Sequence, residues 1–499
     1  MRSMLAGGAL AGLGELGFLA RLPRVSADEA KLDPKVVGLR PEIEPLVRLL
    51  EETPRGKLLE EVAQRVKQGA SYQDVLAALL LAGVRNIQPR PSVGFKFHAV
   101  LVVNSAHIAS MASPDEQRWL PIFWALDHFK SSQARDVQEG DWTMGPVDES
   151  AVPSADKARQ AFTTAMDDWD ESAADAAVAA LARTHGATEI VDLFIRYGCR
   201  DFRSIGHKAI YVANSWRTLQ CIGWRHSEPV LRSLAYALLM HEGSNPAKRD
   251  DDADRHGREN VSRAKKIRGD GLAGKLDDGA TGELLTALRS DSPEQCCDLV
   301  VELLNRGTSP QSLWDALLTG SGELLIRQSG IVSLHAVTTT NALRFAFQTA
   351  ADDETRRLVL LQNAAFLPLF REAMRGRGRV GEFDITELAP EETKQQGEEL
   401  ITATLNDVGR NNGEASRKLL AYLQNGGDAR EFIQAARVLV FTKGNDAHDY
   451  KFSSAVLEDY YHVSPAWRNR YLAAGVYNLQ GTTARDNDLV QRTRAALTG

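Results

Sequence analysis

The sequence predicts an all-α protein of four degenerate helical repeats, each of roughly 110 residues, packed as a closed or solenoid-like helical domain. Two observations favour this fold class. Apolar residues recur at helical rather than alternating spacing, and four segments share one order of elements. In each segment a helix ends near a glycine, a second amphipathic helix follows, and then come a histidine segment and a further apolar helix. The repeats lie near residues 45–145, 155–245, 283–380 and 395–480.

The composition is that of a globular protein. The 499 residues are 43% hydrophobic and 25% charged, which is enough to bury one large core or several smaller ones. The formal net charge of −7 gives no broad basic surface, so we expect no nucleic-acid partner. The four cysteines, among them the adjacent Cys296 and Cys297, lack the spacing of a zinc ribbon, and we expect them to be core thiols.

Residues 1–27 predict an export signal. They combine a basic start at Arg2, a small-residue apolar stretch broken by Glu15, and a V-S-A run that ends at Ala27. The segment resembles a twin-arginine signal with one of its two arginines missing, and the alternative is an amphipathic first helix. A functional signal would place the protein in the periplasm, and otherwise it is cytoplasmic. No later apolar run approaches the ~20 residues that span a bilayer, so we expect no integral membrane segment in the mature chain.

Two polar inserts, at residues 139–158 and 243–282, are predicted to be surface loops. The second insert is charged and rich in glycine. Within it, GDGLAGKL at 269–276 has the glycines and the lysine of a phosphate-binding loop. It lacks the following Ser or Thr and a preceding strand, so we expect a flexible loop there.

One histidine stands at the same place in each repeat. These residues are His98, His207, His335 and His448, and successive ones are 109, 128 and 113 residues apart. In a closed arrangement, equivalent positions of four repeats converge on one axis, and four neutral imidazoles suit iron, copper, nickel or zinc. The alternative is a histidine kept in each repeat as a structural hydrogen-bonding group. We predict that residues 28–499 are a single all-helical metal-binding domain.

Polar residues follow the histidines at helical spacing. Lys451 comes three positions after His448, on the same helical face. Beside a metal ion this lysine must be neutral or converted to a carbamate, and the alternative is that it points to solvent. The residues six or seven positions after the four histidines are Asn104, Asn214, Asn341 and Ser454. The asparagines would either donate hydrogen bonds to ligating imidazoles or serve helix packing.

Two histidine segments read SLHAVTTTNALRFAF at 333–347 and NDAHDYKFSSAVLEDYY at 445–461. They resemble the questin oxidase-like family, and the resemblance extends in pieces over residues 45–480. It implies an all-helical fold around a non-haem Fe(II) held by four histidines and a carboxylated lysine. The implied ligands are His98, His207, His335 and His448, and Lys451 is the candidate for the carboxylated lysine.

For function, the resemblance implies an oxidoreductase, a mono- or dioxygenase, that uses O2 on a small aromatic or quinone-like substrate. The expected outcome is ring cleavage or a Baeyer–Villiger-like oxidation. Four imidazoles and one carboxylate leave one position of iron open, as oxygen chemistry needs. Trp142, Trp216 and Trp224 are candidates for lining the substrate pocket. Two alternatives stay open: a non-catalytic helical-repeat scaffold with structural histidines, and a hydrolytic zinc site, for which five ligands are crowded.

Overall fold

The computed structural model describes residues 33–90 and 93–498. Within these ranges the regular secondary structure is helical, with 22 α-helices joined by loops and short 3-10 turns. An isolated bridge between Lys275 and Thr308 is the only β pairing in the described part of the chain. The all-α prediction is therefore confirmed, whereas the four-fold repeat stays a prediction. The predicted export signal at residues 1–27 lies outside the described residues.

The helices follow one another in four groups along the chain. The first group is α1 (Glu44–Glu52), α2 (Arg55–Lys67), α3 (Tyr72–Asn86), α4 (His98–Met111) and α5 (Leu120–Glu139). The second is α6 (Ala155–Asp168), α7 (Glu171–Thr184), α8 (Ala187–Gly198), α9 (His207–Ile222) and α10 (Ser227–Leu238). The third is α11 (Asp252–Ala264), α12 (Asp278–Ser290), α13 (Pro293–Asn305), α14 (Pro310–Arg327), α15 (Ile331–Thr349) and α16 (Asp353–Arg375). The fourth is α17 (Gly397–Asp407), α18 (Asn412–Gln424), α19 (Ala429–Lys443), α20 (Ala447–Asp459), α21 (Pro465–Gly475) and α22 (Leu489–Thr498).

Glycine turns separate the helices that precede the histidine segments. Gly69 follows α2 with a φ of 107°, and Gly307 follows α13 with a φ of 92°. Both values lie in the left-handed region that favours glycine at the end of a helix. The next helix is then capped by a serine: the Ser71 hydroxyl accepts a hydrogen bond from the Asp74 N–H, and Ser309 caps α14 in a similar way. The glycines in the sequence therefore mark true helix ends.

Four helices, α4, α9, α15 and α20, surround one axis. Each packs against two of the others, in the order α4, α9, α15, α20 and back to α4. Their first turns lie together, as the histidines below show. About two turns further along, Asn104 of α4 donates a hydrogen bond of 3.2 Å to Asn214 of α9. The helices therefore run in the same direction. The other helices pack around this central bundle, with α5 against α4 and α16 against α15.

Clusters of buried apolar side chains surround the central bundle and include residues of its helices. The largest cluster of buried side chains extends from Ile43 to Val490, and a second one is built mainly from residues 400–479. Gly198 of α8 lies so close to α9 that a Cβ there would come within 2.6 Å of Val212 Cγ2. This close approach fixes α9 against the outer helices.

The cysteines follow the prediction in part. All four are free thiols, and Cys199, Cys296 and Cys297 are buried, whereas Cys221 is partly exposed. Burial raises the pKa of the Cys199 thiol to about 12, so it stays protonated at neutral pH. None of the helices in the described part of the chain is both long enough and apolar enough to cross a membrane.

The second polar insert differs from the prediction. The sequence predicts a loop over residues 243–282, but this segment contains α11 and the start of α12. The buried side of α11 is polar and includes Asp254, His256 and Asn260. A search for apolar residues at helical spacing cannot find a helix whose inner face is polar, which explains the difference. The first insert, residues 139–158, follows the prediction in part, because residues 140–154 have no regular secondary structure whereas residues 155–158 begin α6.

Candidate metal centre

The four histidines lie together at one end of the central bundle. Their candidate ligand nitrogens are all within 4.8 Å of one another. The Nε2 atom of His207 is 3.2 Å from that of His98 and 3.0 Å from that of His335. The rings close a circle, because the ring centroid of His448 lies 5.1 Å from that of His335 and 4.5 Å from that of His98. We call these four side chains the four-histidine cluster.

Each histidine stands at or near the start of its helix. His98 and His207 are the first residues of α4 and α9, His448 is the second residue of α20, and His335 is the fifth residue of α15. The N–H groups of a first turn have no partner within the helix and carry a partial positive charge. Three of the four histidines lie in the first turn of a helix, and His335 lies just beyond the first turn of α15.

Main-chain carbonyl groups orient three of the rings. Nδ1 lies within hydrogen-bond distance of a carbonyl oxygen three or four residues earlier, namely Phe95 for His98 (2.8 Å), Ser204 for His207 (2.5 Å) and Ile331 for His335 (2.6 Å). In the fourth ring, Nδ1 of His448 lies 2.6 Å from Oδ1 of Asp446. Carbonyl and carboxylate oxygens only accept hydrogen bonds, so each Nδ1 carries the proton and each Nε2 keeps a lone pair when the ring is neutral.

Two of these carbonyl groups belong to strained loops. Phe95, Ser204 and Ile205 have φ angles of 48°, 54° and 46°. Residues other than glycine rarely adopt this left-handed conformation, and it costs about 1–3 kcal/mol for each. The conformation directs the Phe95 carbonyl to His98 and the Ser204 carbonyl to His207. The surrounding fold therefore imposes the orientation of both rings.

The spacing of the Nε2 atoms fits a single metal ion. A metal–nitrogen distance of about 2.1 Å places two adjacent ligands about 3.0 Å apart. The distances of 3.2 Å and 3.0 Å around His207 agree with this value. Lone pairs at such a distance repel one another unless a cation or a proton lies between them. The Nε2 atom of His448 is also buried and has no hydrogen-bond partner among the described residues. The four-histidine cluster could therefore hold a metal ion.

Burial keeps the imidazoles in the form that binds metal. Loss of solvation lowers the pKa of His98, His207 and His335 well below its usual value, and charge on Lys451 and neighbouring rings adds to this effect. A neutral imidazole is the form that ligates a metal. The hydrogen bond from the His448 ring lowers the pKa of the Asp446 carboxyl to about 2, so this group is anionic at neutral pH.

Lys451 lies beside the four-histidine cluster. The residue is 3% exposed, and its Nζ has no hydrogen-bond partner in the part of the chain that the structure describes. Burial lowers the pKa of Lys451 to about 7, so the amine loses its proton near neutral pH. The alternative in which Lys451 points to solvent is therefore wrong.

A small cavity adjoins Lys451. Its volume is about 20 Å³, which is room for about one water molecule. The polar residues at corresponding positions of the four central helices line it, namely Asn104, Asn214, Asn341 and Ser454. They bond to neighbouring helices rather than to the imidazoles. Asn341 Nδ2 donates to Asp459 Oδ1 at 2.8 Å, and Ser454 Oγ donates to the Ser105 carbonyl at 3.0 Å. These contacts favour the helix-packing interpretation of the asparagines.

Gly94 lies against the cluster in the loop before α4. A Cβ atom at this position would come within 3.2 Å of His98 Cε1 and within 3.3 Å of His207 Cε1. The absence of a side chain lets the main chain approach two imidazole edges closely. Gly94 therefore helps to shield the cluster from water.

The tryptophans predicted to line a substrate pocket make contacts with other aromatic residues. Trp216 and Trp224 pack edge to face with ring centroids 5.6 Å apart, and Trp142 packs against Tyr236. None of these three side chains lines the cavity beside Lys451. Their predicted role in binding substrate therefore finds no support at this cavity.

Sequence reasoning did not identify Asp446, although a signal for it exists. An aspartate just before a helix is a common N-cap, and the Asp446 carboxylate accepts a hydrogen bond of 2.7 Å from the His448 N–H. That cap also brings the carboxylate next to the His448 ring. The carbonyl groups that orient the other rings have no such signal, because every residue carries one.

Comparison of the chain with protein-family models, curated proteins and solved structures finds no match. The resemblance to the questin oxidase-like family therefore stays a hypothesis. A functional interpretation depends on the geometry of the four-histidine cluster and on the chemistry of the residues around it.

Proposed function

We propose that the protein is a non-haem iron oxidoreductase that uses O2 to oxidise a small aromatic or quinone-like substrate, as a mono- or dioxygenase. One observation carries the proposal. Four clustered imidazoles bond through Nδ1 to an acceptor and leave Nε2 for a metal ion. The buried amine of Lys451 beside them supports it. The resemblance of the segments around His335 and His448 to the questin oxidase-like family supports the choice of reaction.

Iron suits the ligand set that we propose. Imidazole nitrogens and one anionic oxygen are common ligands of iron, and five protein ligands leave one of six positions open. Catalytic zinc usually has three protein ligands and a water molecule, so a hydrolytic zinc site fits this set less well. Bound Fe(II) would supply the redox chemistry by which O2 reacts with an organic substrate.

Lys451 would supply the anionic oxygen as a carbamate. In this step the neutral Nζ attacks the carbon of CO2, an N–C bond forms and one proton leaves to solvent. Three features support it: the burial of Lys451, the lack of a hydrogen-bond partner in the described part of the chain, and a position on the same face of α20 as His448. Addition of ¹³C-labelled CO2 should give a carbamate signal in the NMR spectrum of the parent protein but not of Lys451→Met.

The protein would contribute to the reaction through the surroundings of the cluster. Burial of His98, His207 and His335 keeps these rings away from bulk solvent. The cavity beside Lys451, with about 20 Å³, admits water or O2 but not an aromatic ring, so we infer that it serves small molecules rather than the aromatic substrate.

Elemental analysis of the purified protein tests the proposal. The parent, with and without residues 1–27, is compared with His335→Ala. The matched control is His107→Ala, because His107 bonds to the Tyr72 hydroxyl and lies outside the cluster. We expect about one iron per chain in the parent and the control, and less than about a tenth of that in His335→Ala.

The other outcomes separate the alternatives. Folded parent protein that is free of metal and does not bind added Fe(II) would contradict the proposal and favour the scaffold with structural histidines. Zinc without iron would favour the hydrolytic site. If iron is present, O2 consumption with hydroxylated anthraquinones, measured with an oxygen electrode, tests the reaction. Iron-loaded protein that consumes no O2 with any of these anthraquinones would count against an aromatic or quinone-like substrate.

A further inference from the structure

We propose that His256, Glu259 and Glu294 form a second metal site, which binds a divalent transition-metal ion such as Zn²⁺. Their candidate ligand atoms all lie within 4.8 Å of one another. The site joins α11, in the polar insert, to the start of α13. It shares no residue with the four-histidine cluster and does not depend on the proposed oxidoreductase function.

His256 provides the strongest indication. The residue is 6% exposed, and its Nδ1 has no hydrogen-bond partner among the described residues. The nearest carboxylate oxygen, Oε1 of Glu294, lies 3.5 Å from Nδ1, too far for a good hydrogen bond. A buried polar atom without a hydrogen-bond partner destabilises the folded protein. Burial also lowers the pKa of His256, which favours the neutral ring that binds metal.

Two carboxylates complete a plausible ligand set. Glu259 lies three residues after His256, on the same face of α11, and Glu294 lies in the first turn of α13. Two residues three positions apart on a helix can both reach one ion, to which Glu294 of the neighbouring helix adds a third ligand. The side chains of Glu259 and Glu294 are 39% and 38% exposed, so an ion can enter from solvent. Three protein ligands leave room for water on zinc.

The charges around the site favour a cation. Arg263 donates to Oε2 of Glu259 at 2.9 Å, which leaves Oε1 of that carboxylate for an ion. The same guanidinium group donates to Asp298 at 2.8 Å, so its charge is shared. The other nearby guanidinium group, that of Arg255, pairs with its own carboxylate partner in the first turn of α11. Carboxylates therefore outnumber cations near His256, as binding of a divalent ion requires.

The neighbouring contacts hold α11 in place. Asn260 donates a buried hydrogen bond of 2.7 Å to Gln362. Gly257 lies so close to the Arg200 carbonyl oxygen that a Cβ there would come within 2.2 Å of it. His256 directly precedes Gly257 on the helix, so its main chain is held in place before any ion binds. A bound ion would tie the insert to α13 and stabilise the folded state.

Zinc titration of the full-length protein tests this site. Chelator-treated parent, Glu294→Gln and Glu259→Gln are titrated with Zn²⁺ against a chromogenic chelator, and the melting temperature is measured with and without zinc. Glu302→Gln is the matched control, since it removes a carboxylate of α13 that pairs with Arg306 and is not in the cluster. We expect each Glu variant to lose one zinc equivalent, or to bind it at least about tenfold more weakly, and to lose the zinc-dependent rise in melting temperature.

The matched control and His335→Ala together distinguish this second metal site from the four-histidine cluster. Glu302→Gln should bind as much zinc as the parent, and His335→Ala should lose a different equivalent that is additive with the loss in Glu294→Gln. Equal stoichiometry and affinity in the parent and in both Glu variants would overturn the proposal. In that case His256 and Glu294 form a structural ion pair only. Both glutamates are partly exposed, so these variants are expected to fold even if His256→Gln does not.

Discussion

His207 and His448 stand at corresponding places in the four-histidine cluster but are held in different ways. The His207 ring bonds to the Ser204 carbonyl in a loop with left-handed backbone, whereas the His448 ring bonds to the carboxylate of Asp446. His207 is 4% exposed, while the side chain of His448 is 21% exposed. One ring is therefore fixed by the main chain inside the protein, and the other by a charged side chain close to its surface.

The difference shows two ways to set the properties of a ligand. A main-chain carbonyl group cannot be removed by substitution. The strain of the loop that carries it must be offset by stabilising contacts elsewhere in the fold. A carboxylate can be replaced, and its negative charge makes the imidazole a stronger donor to a metal. We therefore expect His207 to determine whether a metal is held, and the pair of His448 and Asp446 to adjust how tightly.

Replacement of the two histidines should have the largest and most unequal effects. His207 lies between His98 and His335, so His207→Gln should lower the affinity for iron more than about 100-fold. Water can take the place of the more exposed ring, so His448→Gln should lower it by only about 10–100-fold. Competition with a chelator measures both constants. Equal losses in the two variants would show that the difference in burial has no consequence for binding.

Lys451 should make the stability of the metal-free protein depend on pH. Its folded pKa of about 7 lies below the ordinary value of 10.5, so the unfolded state binds more protons between these pH values. The free energy of unfolding of the parent should therefore rise with pH in this range, by up to about 1.4 kcal/mol per pH unit. The rise should end above pH 10.5, where both states are deprotonated. Urea unfolding in buffer free of CO2 measures this slope.

Lys451→Met should lack the slope and should be more stable than the parent near pH 7, because a buried amine without a partner is replaced by an apolar chain. Its affinity for iron should fall if the carbamate is a ligand. Lys418→Met is the control, since Lys418 pairs with Asp407 near the surface and should leave the slope unchanged. A parent protein without the slope would mean that Lys451 is not buried as the structure shows.

Asp446→Asn isolates the charge beside His448. Asparagine also caps helices well, so the stability of α20 should change little. The affinity for iron should fall about tenfold, since the ring loses an anionic partner. Asp446→Ala removes the cap as well, and it should lower both affinity and stability. Unchanged affinity in Asp446→Asn would show that the carboxylate serves only as a helix cap.

Gly94→Ala should have the smallest effect. The new Cβ would meet the Cε1 atoms of His98 and His207 at 3.2 Å and 3.3 Å, so the loop or the rings must shift by a few tenths of an ångström. We expect a change of a few-fold in iron affinity, together with a shift in the electronic spectrum of the bound metal. Gly56→Ala is the control, because it lies in α2 with nothing within 4 Å and should be stabilising by up to about 1 kcal/mol. An unchanged spectrum would show that the loop at Gly94 shifts without moving the rings of His98 and His207.

The sequence predicts the helices well where their buried faces are apolar. The α3 segment shows this, because its apolar residues recur at helical spacing and Ser71 caps its start. The α11 segment shows the limit, since its buried residues His256 and Asn260 are polar and depend on partners distant in sequence, such as Gln362. A helix of this kind is stabilised by specific contacts that no periodic pattern reveals.

The sequence predicts the side chains of the candidate site, but it does not predict the helix packing and the main-chain groups that position them. The recurrence of one histidine per segment led to the four members of the cluster, and helical spacing placed Lys451 beside His448. The closure of α4, α9, α15 and α20 around one axis is a long-range property that spacing alone does not determine. The roles of the Phe95 and Ser204 carbonyl groups cannot be predicted from the sequence either, because they depend on backbone conformation rather than on residue type.

The circle of four histidines also relates metal binding to the order of folding. Its members are drawn from positions 98 to 448 of the chain, and the last one arrives only when α20 has docked between α15 and α4. A nascent chain that has not reached this point presents at most three of the imidazoles. Contacts of such large sequence separation form late, so metal uptake would report that the final helices have joined the bundle.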